Sequence, residues 1–364
     1  MPDGITVSNR LTSTTESKKH AKVVDNILTG PTYMSRLMGK GKPMQGKTHD
    51  FTVDVEQSTQ FEWFTGLEAL NASAEDTTIV LSYAHTAGSQ PKVGIMLESF
   101  ANVGSMGYIP LDAFNYEKAG QEALRNVASA AYGTGAGSQP NGLQAIVDDG
   151  TNAATIGGQT RASYDPLDAT YTSSGGTMTL AKLATLDDAA AQGGEDAAIP
   201  NINLTTFTVW SLYEQLLDPQ VRANYQAGGA SRLPVRGDNA VSLAQMAGVQ
   251  GFVSTFHRGR PVIKDKACTS GVWYKLNEDS FGWLGRTVVP DEYKGKVTKV
   301  NLGNMKAYQS TAGEEAPSEF NGWFYQKPMV MPEQAGTIAR FYVIGQMATW
   351  EPRKNGQLNV ITGV

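Results

Sequence analysis

The chain has 364 residues, 40% of them hydrophobic and 18% charged, with 39 glycines and a net charge of −5. That is enough for two ordinary domains or one large irregular one, and the negative sign argues against a dedicated nucleic-acid binder, whose surface must attract phosphate. Cys268 is the sole cysteine, which excludes an internal disulfide or a multi-thiolate metal site and suggests synthesis in a reducing cytoplasm.

The first 28 residues are polar and lack the apolar stretch of a signal peptide, and no apolar run reaches the roughly 18 residues of a membrane span. Residues 1–50 form a Thr/Ser/Lys-rich leader with one amphipathic piece, Val23, Val24, Ile27 and Leu28, stopped by Gly30 and Pro31. So little apolar surface cannot fold alone, which predicts an arm that orders only across another surface. From 51 to 97 the pattern alternates with period two through Phe51, Val53, Val55, Phe61, Trp63, Ile79, Tyr83, Val93, Ile95 and Leu97. This predicts the strands of a long hairpin or small sheet, with 65–78 as an exposed connection.

Pro110, Leu111 and Asp112 open the clearest helix, with Asp112 or Asn115 as its N-cap. Its stripe of Tyr116, Ala119, Ala123, Leu124, Val127 and Ala131 is half alanine, so the helix can lie close to a sheet. Gly133 ends it and a Gly-rich loop runs to Gly142. Further on, the pattern predicts a strand at 143–147, a Gly-Gly turn at 157–158 and a helix at 180–191. Thr206 can cap a second helix over 207–217 that Pro219 ends. Strands are expected at 252–256, 261–263 and 272–276, making the middle third a mixed α/β unit. After a turn-rich, irregular stretch from 282 to 332, the alternating run 337–350 has no strongly charged face and should be a central strand.

The sharpest motif is Gly41-Lys-Pro-Met-Gln-Gly46-Lys47-Thr48, which matches the phosphate-cradling loop of nucleotide-binding proteins. Such a loop needs a buried strand before it and a helix after it. Here a helix-like segment precedes it and a strand-like one follows. Histidines 20, 49, 85 and 257 are dispersed with no metal-ligand spacing. The acidic pairs Asp148-Asp149, Asp187-Asp188 and Glu314-Glu315 lie at turn signals and read as solvated faces. No Gly-x-Ser-x-Gly elbow occurs, and Cys268 has no histidine near it in sequence. No catalytic, cofactor-binding or metal site is expected. Adjacent aromatics at Phe61, Trp63 and Phe64 and at Trp323 and Phe324 project to both faces of a strand and cannot all enter one core. They are the candidate subunit contacts.

The order of these pieces resembles the Hong Kong 97-type major capsid proteins of tailed double-stranded-DNA bacteriophages. The residues that carry the likeness are Gly142-Leu-Gln-Ala-Ile-Val147, Ile156-Gly-Gly-Gln-Thr-Arg161, Tyr213-Glu-Gln-Leu-Leu-Asp-Pro219, Gly259-Arg-Pro-Val-Ile-Lys-Asp265, Gly271-Val-Trp-Tyr-Lys-Leu-Asn277, Gly345-Gln-Met and Pro352-Arg-Lys-Asn-Gly-Gln-Leu358. The resemblance implies an α+β capsid fold: N-terminal arm 1–50, extended β-hairpin loop 51–97, spine helix and peripheral domain in 98–133 and 300–364, axial α/β domain 134–299. It implies a structural protein, not an enzyme, that self-assembles into hexamers and pentamers of an icosahedral or prolate head enclosing the genome without sequence-specific DNA contacts. Its expected place is the virion, after assembly in the bacterial cytoplasm, with no membrane partner. No long scaffolding segment precedes the arm, so a separate scaffolding protein is expected, together with a portal and a decoration protein. An encapsulin-like nanocompartment shares the fold and is the alternative, with the phosphate-loop reading as a third.

Overall fold

The computed structural model describes residues 32–56, 61–68, 77–101, 111–192, 198–225, 255–293, 295–301, 306–308, 322–332 and 335–363. The piece 23–28, His20, Phe252 and the pair Glu314-Glu315 lie outside the described residues. The chain opens with α1 (Thr32–Gly39), β1 (Lys42–Met44), β2 (Thr48–Glu56), β3 (Thr77–Ala84), β4 (Thr86–Ile95), α2 (Met96–Ala101) and α3 (Leu111–Ala130). The middle holds α4 (Leu143–Ile146), β5 (Thr155–Ile156), β6 (Gln159–Thr160), β7 (Thr170–Thr172), β8 (Gly176–Thr177), α5 (Leu180–Ala190), β9 (Ile202–Thr205) and α6 (Phe207–Tyr225). Then come β10 (Thr255–His257), β11 (Arg260–Lys264), β12 (Trp273–Leu276), β13 (Phe281–Arg286), β14 (Val297–Asn301), β15 (Lys306–Tyr308), β16 (Trp323–Val330), β17 (Gly336–Thr349), β18 (Gly356–Leu358) and β19 (Ile361–Gly363).

Two larger sheets organise these elements. One has seven strands in the order β1-β13-β17-β16-β14-β15, with β4 also paired to β17, and the other has six in the order β10-β11-β9-β12-β18-β7. The 14-residue β17 is central, as the lack of a strongly charged face predicts: it pairs with β4, β13 and β16, all antiparallel. Helix α3 lies against β4 and β17. Its Ala119 and Ala123 are buried, and small side chains there let the Tyr116 ring reach Phe341 at 5.0 Å and Tyr325 at 4.6 Å. One core cluster runs from this helix through Tyr132, Leu143 and Ile146 to Ile202, Leu204 and Tyr274 of the second sheet, joining the two sheets. A second cluster forms where Leu183 and Leu186 of α5 and Trp210 and Tyr213 of α6 cover Val262, Trp273 and Leu358.

Local signals explain most boundaries. Thr179 and Thr206 accept from the N–H groups of Lys182 and Val209 at 3.2 and 3.3 Å, capping α5 and α6. Several expectations need correction. Helix α3 already begins at Leu111, so Asp112 and Asn115 lie inside its first turns and do not cap it. Residues 143–146 form a single helical turn, not a strand: a short apolar run carries no period of its own, and Gly142 lets it start immediately beneath α3. A Cβ on Gly142 would stand 2.3 Å from the Gly133 carbonyl oxygen, so only glycine closes this loop. Pro219 removes one ladder bond but does not end α6, which continues to Tyr225. The stretch 282–332 contains three strands and most of a fourth where irregular chain was expected.

Candidate subunit-contact site

The period of two divides the β2–β3 hairpin into an inner and an outer face. Val55, Ile79, Leu81 and Tyr83 are buried with Met44, Ile156, Leu167, Leu284 and Ala348. The Tyr83 hydroxyl donates to the Thr349 carbonyl at 2.6 Å, and the Phe51 ring meets Trp350 at 5.2 Å. Along the free edge of β3, the Ser82 N–H donates to the Gly157 carbonyl at 2.9 Å and the Gln159 side-chain amide to the Val80 carbonyl at 3.0 Å. Gly157 has φ +55 and its missing Cβ would lie 2.8 Å from that of Leu81, which is why the turn at 157–158 can rest on the strand.

The expectation that the leader 1–50 orders only across another surface is therefore corrected for its described part. The hairpin base belongs to this chain's core, and so does α1. Tyr33, Met34 and Leu37 are buried, the Tyr33 N–H donates to Asp265 at 2.9 Å, and Arg36 and Lys40 grip Glu278 at 2.5 and 2.7 Å.

Among the described residues, the segment 61–68 between β2 and β3 stands without a covering surface. Residues 61–68 carry no strand, and Phe61, Trp63 and Phe64 are 74%, 90% and 59% exposed, with Leu67 fully so. The rings of Phe61 and Trp63 meet edge to face at 5.1 Å. Four bulky apolar side chains on one short exposed segment form the kind of patch that marks an interaction surface. Trp323 and Phe324 are placed differently. At 0% and 4% exposure they are covered from both sides of β16 by the chain itself, so they have little surface to offer a neighbour.

The phosphate-loop match fails on its context. Helix α1 precedes it and Thr48 opens strand β2, where bound phosphate would need the N-terminus of a helix. The carbonyl of Gly46, at φ +79, accepts from His85 Nε2 at 2.9 Å and from Arg286 at 3.1 Å. Among the described residues no group of three or more His, Cys, Asp or Glu side chains converges, and no helix is long and apolar enough to cross a membrane.

Two acidic pairs expected on solvated faces prove to be half buried. Asp148 accepts from the N–H groups of Gly150, Asn152 and Ala153 at 3.0, 2.9 and 2.8 Å and so shapes its own loop, while Asp149 stays outside. Asp187 of α5 is buried against three cations: Arg260 at 2.5 Å, Lys275 at 3.1 Å and Arg258 at 3.4 Å. Arg258 also bonds Asp188 at 2.5 Å from a tight turn with Arg258 and Gly259 at positive φ. Burial, opposed by Asp187, lowers the Lys275 ammonium to about 8.

His257, one of the dispersed histidines, is buried beside this cluster, with Tyr213 at 3.4 Å from Nδ1. Burial first, and then the charges of Lys275, Arg258 and Arg260 against the opposing Asp187, lower its pKa to about 4. An unfolded histidine takes up its proton near pH 6.5, so between there and about 4 the unfolded chain binds more protons and stability falls with pH. Melting temperatures measured from pH 7 to 4 should fall less steeply in His257→Gln than in wild type. Equal slopes would remove His257 as the cause.

No family model matches the sequence, and no curated protein matches it either. Solved structures do. The chain is similar to one from the cyanophage A-1(L) capsid asymmetric unit, with TM-score 0.66 and 16% identity over 95% of this chain and 97% of that one. The SrpI encapsulin complex of Synechococcus elongatus PCC 7942 gives TM-score 0.53 and 11% identity, covering 96% and 95%. The capsid of Myoviridae phage XM1 gives 0.52 and 10%, covering 100% of both chains. At such identities the likeness speaks for architecture: in its described residues the chain has the α+β fold of these capsid and encapsulin chains.

Proposed function

We propose that this chain is a major capsid protein, many copies of which form the hexamers and pentamers of a phage head around double-stranded DNA. The observation that carries the reading is the full-length likeness to the cyanophage capsid chain, 95% of one against 97% of the other. The aromatic segment 61–68 supports it independently, since an exposed apolar segment has its use in contact with another surface. In this reading α3 is the spine helix, β2–β3 begins the extended loop, the six-stranded sheet belongs to the axial domain together with β18 from the expected peripheral range 300–364, and β17 belongs to the peripheral domain together with β13 from the expected axial range 134–299. The role is mechanical and calls on no catalytic residue, cofactor or metal. A scaffolding protein, a portal and a decoration protein are its expected partners, the virion its place, and the bacterial cytoplasm the site of assembly.

The likeness to the encapsulin supports a second reading, a shell around cargo protein. Sedimentation and negative-stain electron microscopy of the purified chain test both. Closed shells or rings are expected, and a lone monomer of 39.0 kDa at milligram concentrations overturns either reading. Shells isolated from producing cells with nuclease-protected DNA favour the head, and shells that hold a folded enzyme without DNA favour the compartment.

A further inference from the structure

We infer that the face of the seven-stranded sheet opposite α3 carries a binding groove for a small amphipathic carboxylate, an apolar body that ends in one anionic group. This goes beyond the shell reading and does not depend on it. Neighbouring side chains of a strand point to opposite faces. Tyr325, Phe341 and Val343 share one face, where the first two meet the Tyr116 ring of α3 and Val343 joins the same core cluster. Phe324 and its cross-strand partner Tyr342 therefore lie on the other face, with Ile344 two residues further along β17 and Val297 of β14 opposite Gln326. Over that floor the chain that follows β13 leaves a groove of about 470 Å³, with Val288 and Tyr293 among its walls. Sites for small ligands span roughly 300–1,000 Å³ and combine apolar walls with a few polar groups.

Two observations choose the ligand class. The first is the wet apolar surface. Val288 and Tyr293 stand more than half exposed beside an aliphatic and aromatic floor, so an apolar body laid in the groove removes from water a surface that the fold itself leaves uncovered.

The second is charge. Among the described residues that line the groove, Arg286 is the one Asp, Glu, Lys or Arg side chain, and Asp291 and Glu292, in the turn that carries Tyr293, stay off the lining. The Arg286 guanidinium donates to the Gly46 carbonyl at 3.1 Å, and among the described residues it makes no ion pair. A guanidinium has five N–H groups in a planar fork, which leaves donors for a carboxylate to take in parallel. Gln326 and Tyr342 are bonded to each other at 2.6 Å, so the orienting contact falls to Arg286. An amphipath with a cationic head is disfavoured, because its charge would face the same guanidinium.

Isothermal titration calorimetry of the purified full chain with dodecanoate, kept below its micellar range, tests the groove. A single site per chain is expected. Val288→Trp should fill the groove and Arg286→Met should remove the charged donor, each weakening binding at least about tenfold, with Arg286→Lys in between. Dodecyltrimethylammonium, with the same tail and the opposite charge, should bind at least about tenfold more weakly than dodecanoate. Val288 is exposed and Arg286 half-buried, so the variants should keep the wild-type circular dichroism and sedimentation profile. No heat of binding, or a dodecanoate affinity that neither Val288→Trp nor Arg286→Met changes, overturns the groove. Equal binding of the cation overturns the role of Arg286 and with it the ligand class. If Val288→Trp instead breaks the assembled protein into smaller species, a copy of this chain fills the groove, and the ligand site falls while the shell reading stands.

Discussion

Replacing Arg161 with methionine should destabilise the chain by about 3–5 kcal/mol, the cost of removing one member of a buried charged network. The guanidinium is buried and donates to four backbone carbonyls: Leu167, Ala145 at 2.6 Å, Ile146 at 3.3 Å and Ala153 at 3.1 Å. It thereby pins α4, the Asp148 loop and the turn before β7 to one another. Burial lowers its pKa while Asp148 and Asp168 oppose that shift, so the cation is compensated mainly by carbonyl dipoles and two carboxylates. Methionine keeps much of the volume but leaves those carbonyls without donors, and each buried orphan costs about 1–3 kcal/mol. Arg161→Lys should recover less than half of the loss, because one ammonium cannot span a fork of acceptors. Urea unfolding of the three proteins measures this. A loss below about 1 kcal/mol in the methionine variant would show that the carbonyls find other donors.

How far such features can be read from sequence depends on how local their causes are. The alanines of α3 and the weakly charged, alternating faces of β17 are legible because the residues of each element repeat with its own period. Strand β13 is the opposite case. Buried on both faces through Phe281, Trp283 and Leu284, it has no alternation to show, and its Gly282 lies 3.6 Å under the Trp350 ring from where a Cβ would be. Two glycines in six residues look like a turn and serve as room for indoles. Opposite it, Gly345 leaves space for Trp283, again a demand set by a residue some sixty positions away.

The candidate site divides in the same way. Phe61-Glu-Trp63-Phe64 and Trp323-Phe324-Tyr325 look alike as sequences, and only the pairing of β16 with β14 and β17 shows that the second group is covered. The buried charges are hardest. Asp187 meets Arg260 across 73 positions, and Arg161, although its acceptors lie within 16 positions, bonds backbone carbonyls, which every residue carries and no side chain marks. Adjacent acidic residues favour the solvated reading, because such side chains are almost never fully buried unless paired. A paired partner that lies far along the chain overrides it.

The Asp187 cluster carries more cationic than anionic charge, and the excess gives two substitutions opposite signs. Asp187→Asn should cost about 3–5 kcal/mol at pH 6, since it removes the buried carboxylate and leaves Lys275 facing two arginines. Lys275 titrates near 8 in the folded chain, well below the ordinary lysine value, because burial disfavours its charged form. Once the pH passes 8 the wild-type ammonium has itself lost its proton, so the share of the penalty that runs through Lys275 disappears. The variant should accordingly be less damaging at pH 9 than at pH 6. Lys275→Met should do the reverse of harm. The Nζ atom lies 3.1 Å from Asp187 without the alignment of a hydrogen bond, whereas Arg260 keeps its own contact at 2.5 Å. Removing a desolvated cation that is only loosely held, and leaving the better pair intact, should be neutral or stabilising by about 1–2 kcal/mol. Chemical unfolding of both variants at pH 6 and pH 9 separates the accounts. If Lys275→Met proves as costly as Asp187→Asn, the ammonium is a full partner in the pair, and the charge excess is not what sets the energetics of this cluster.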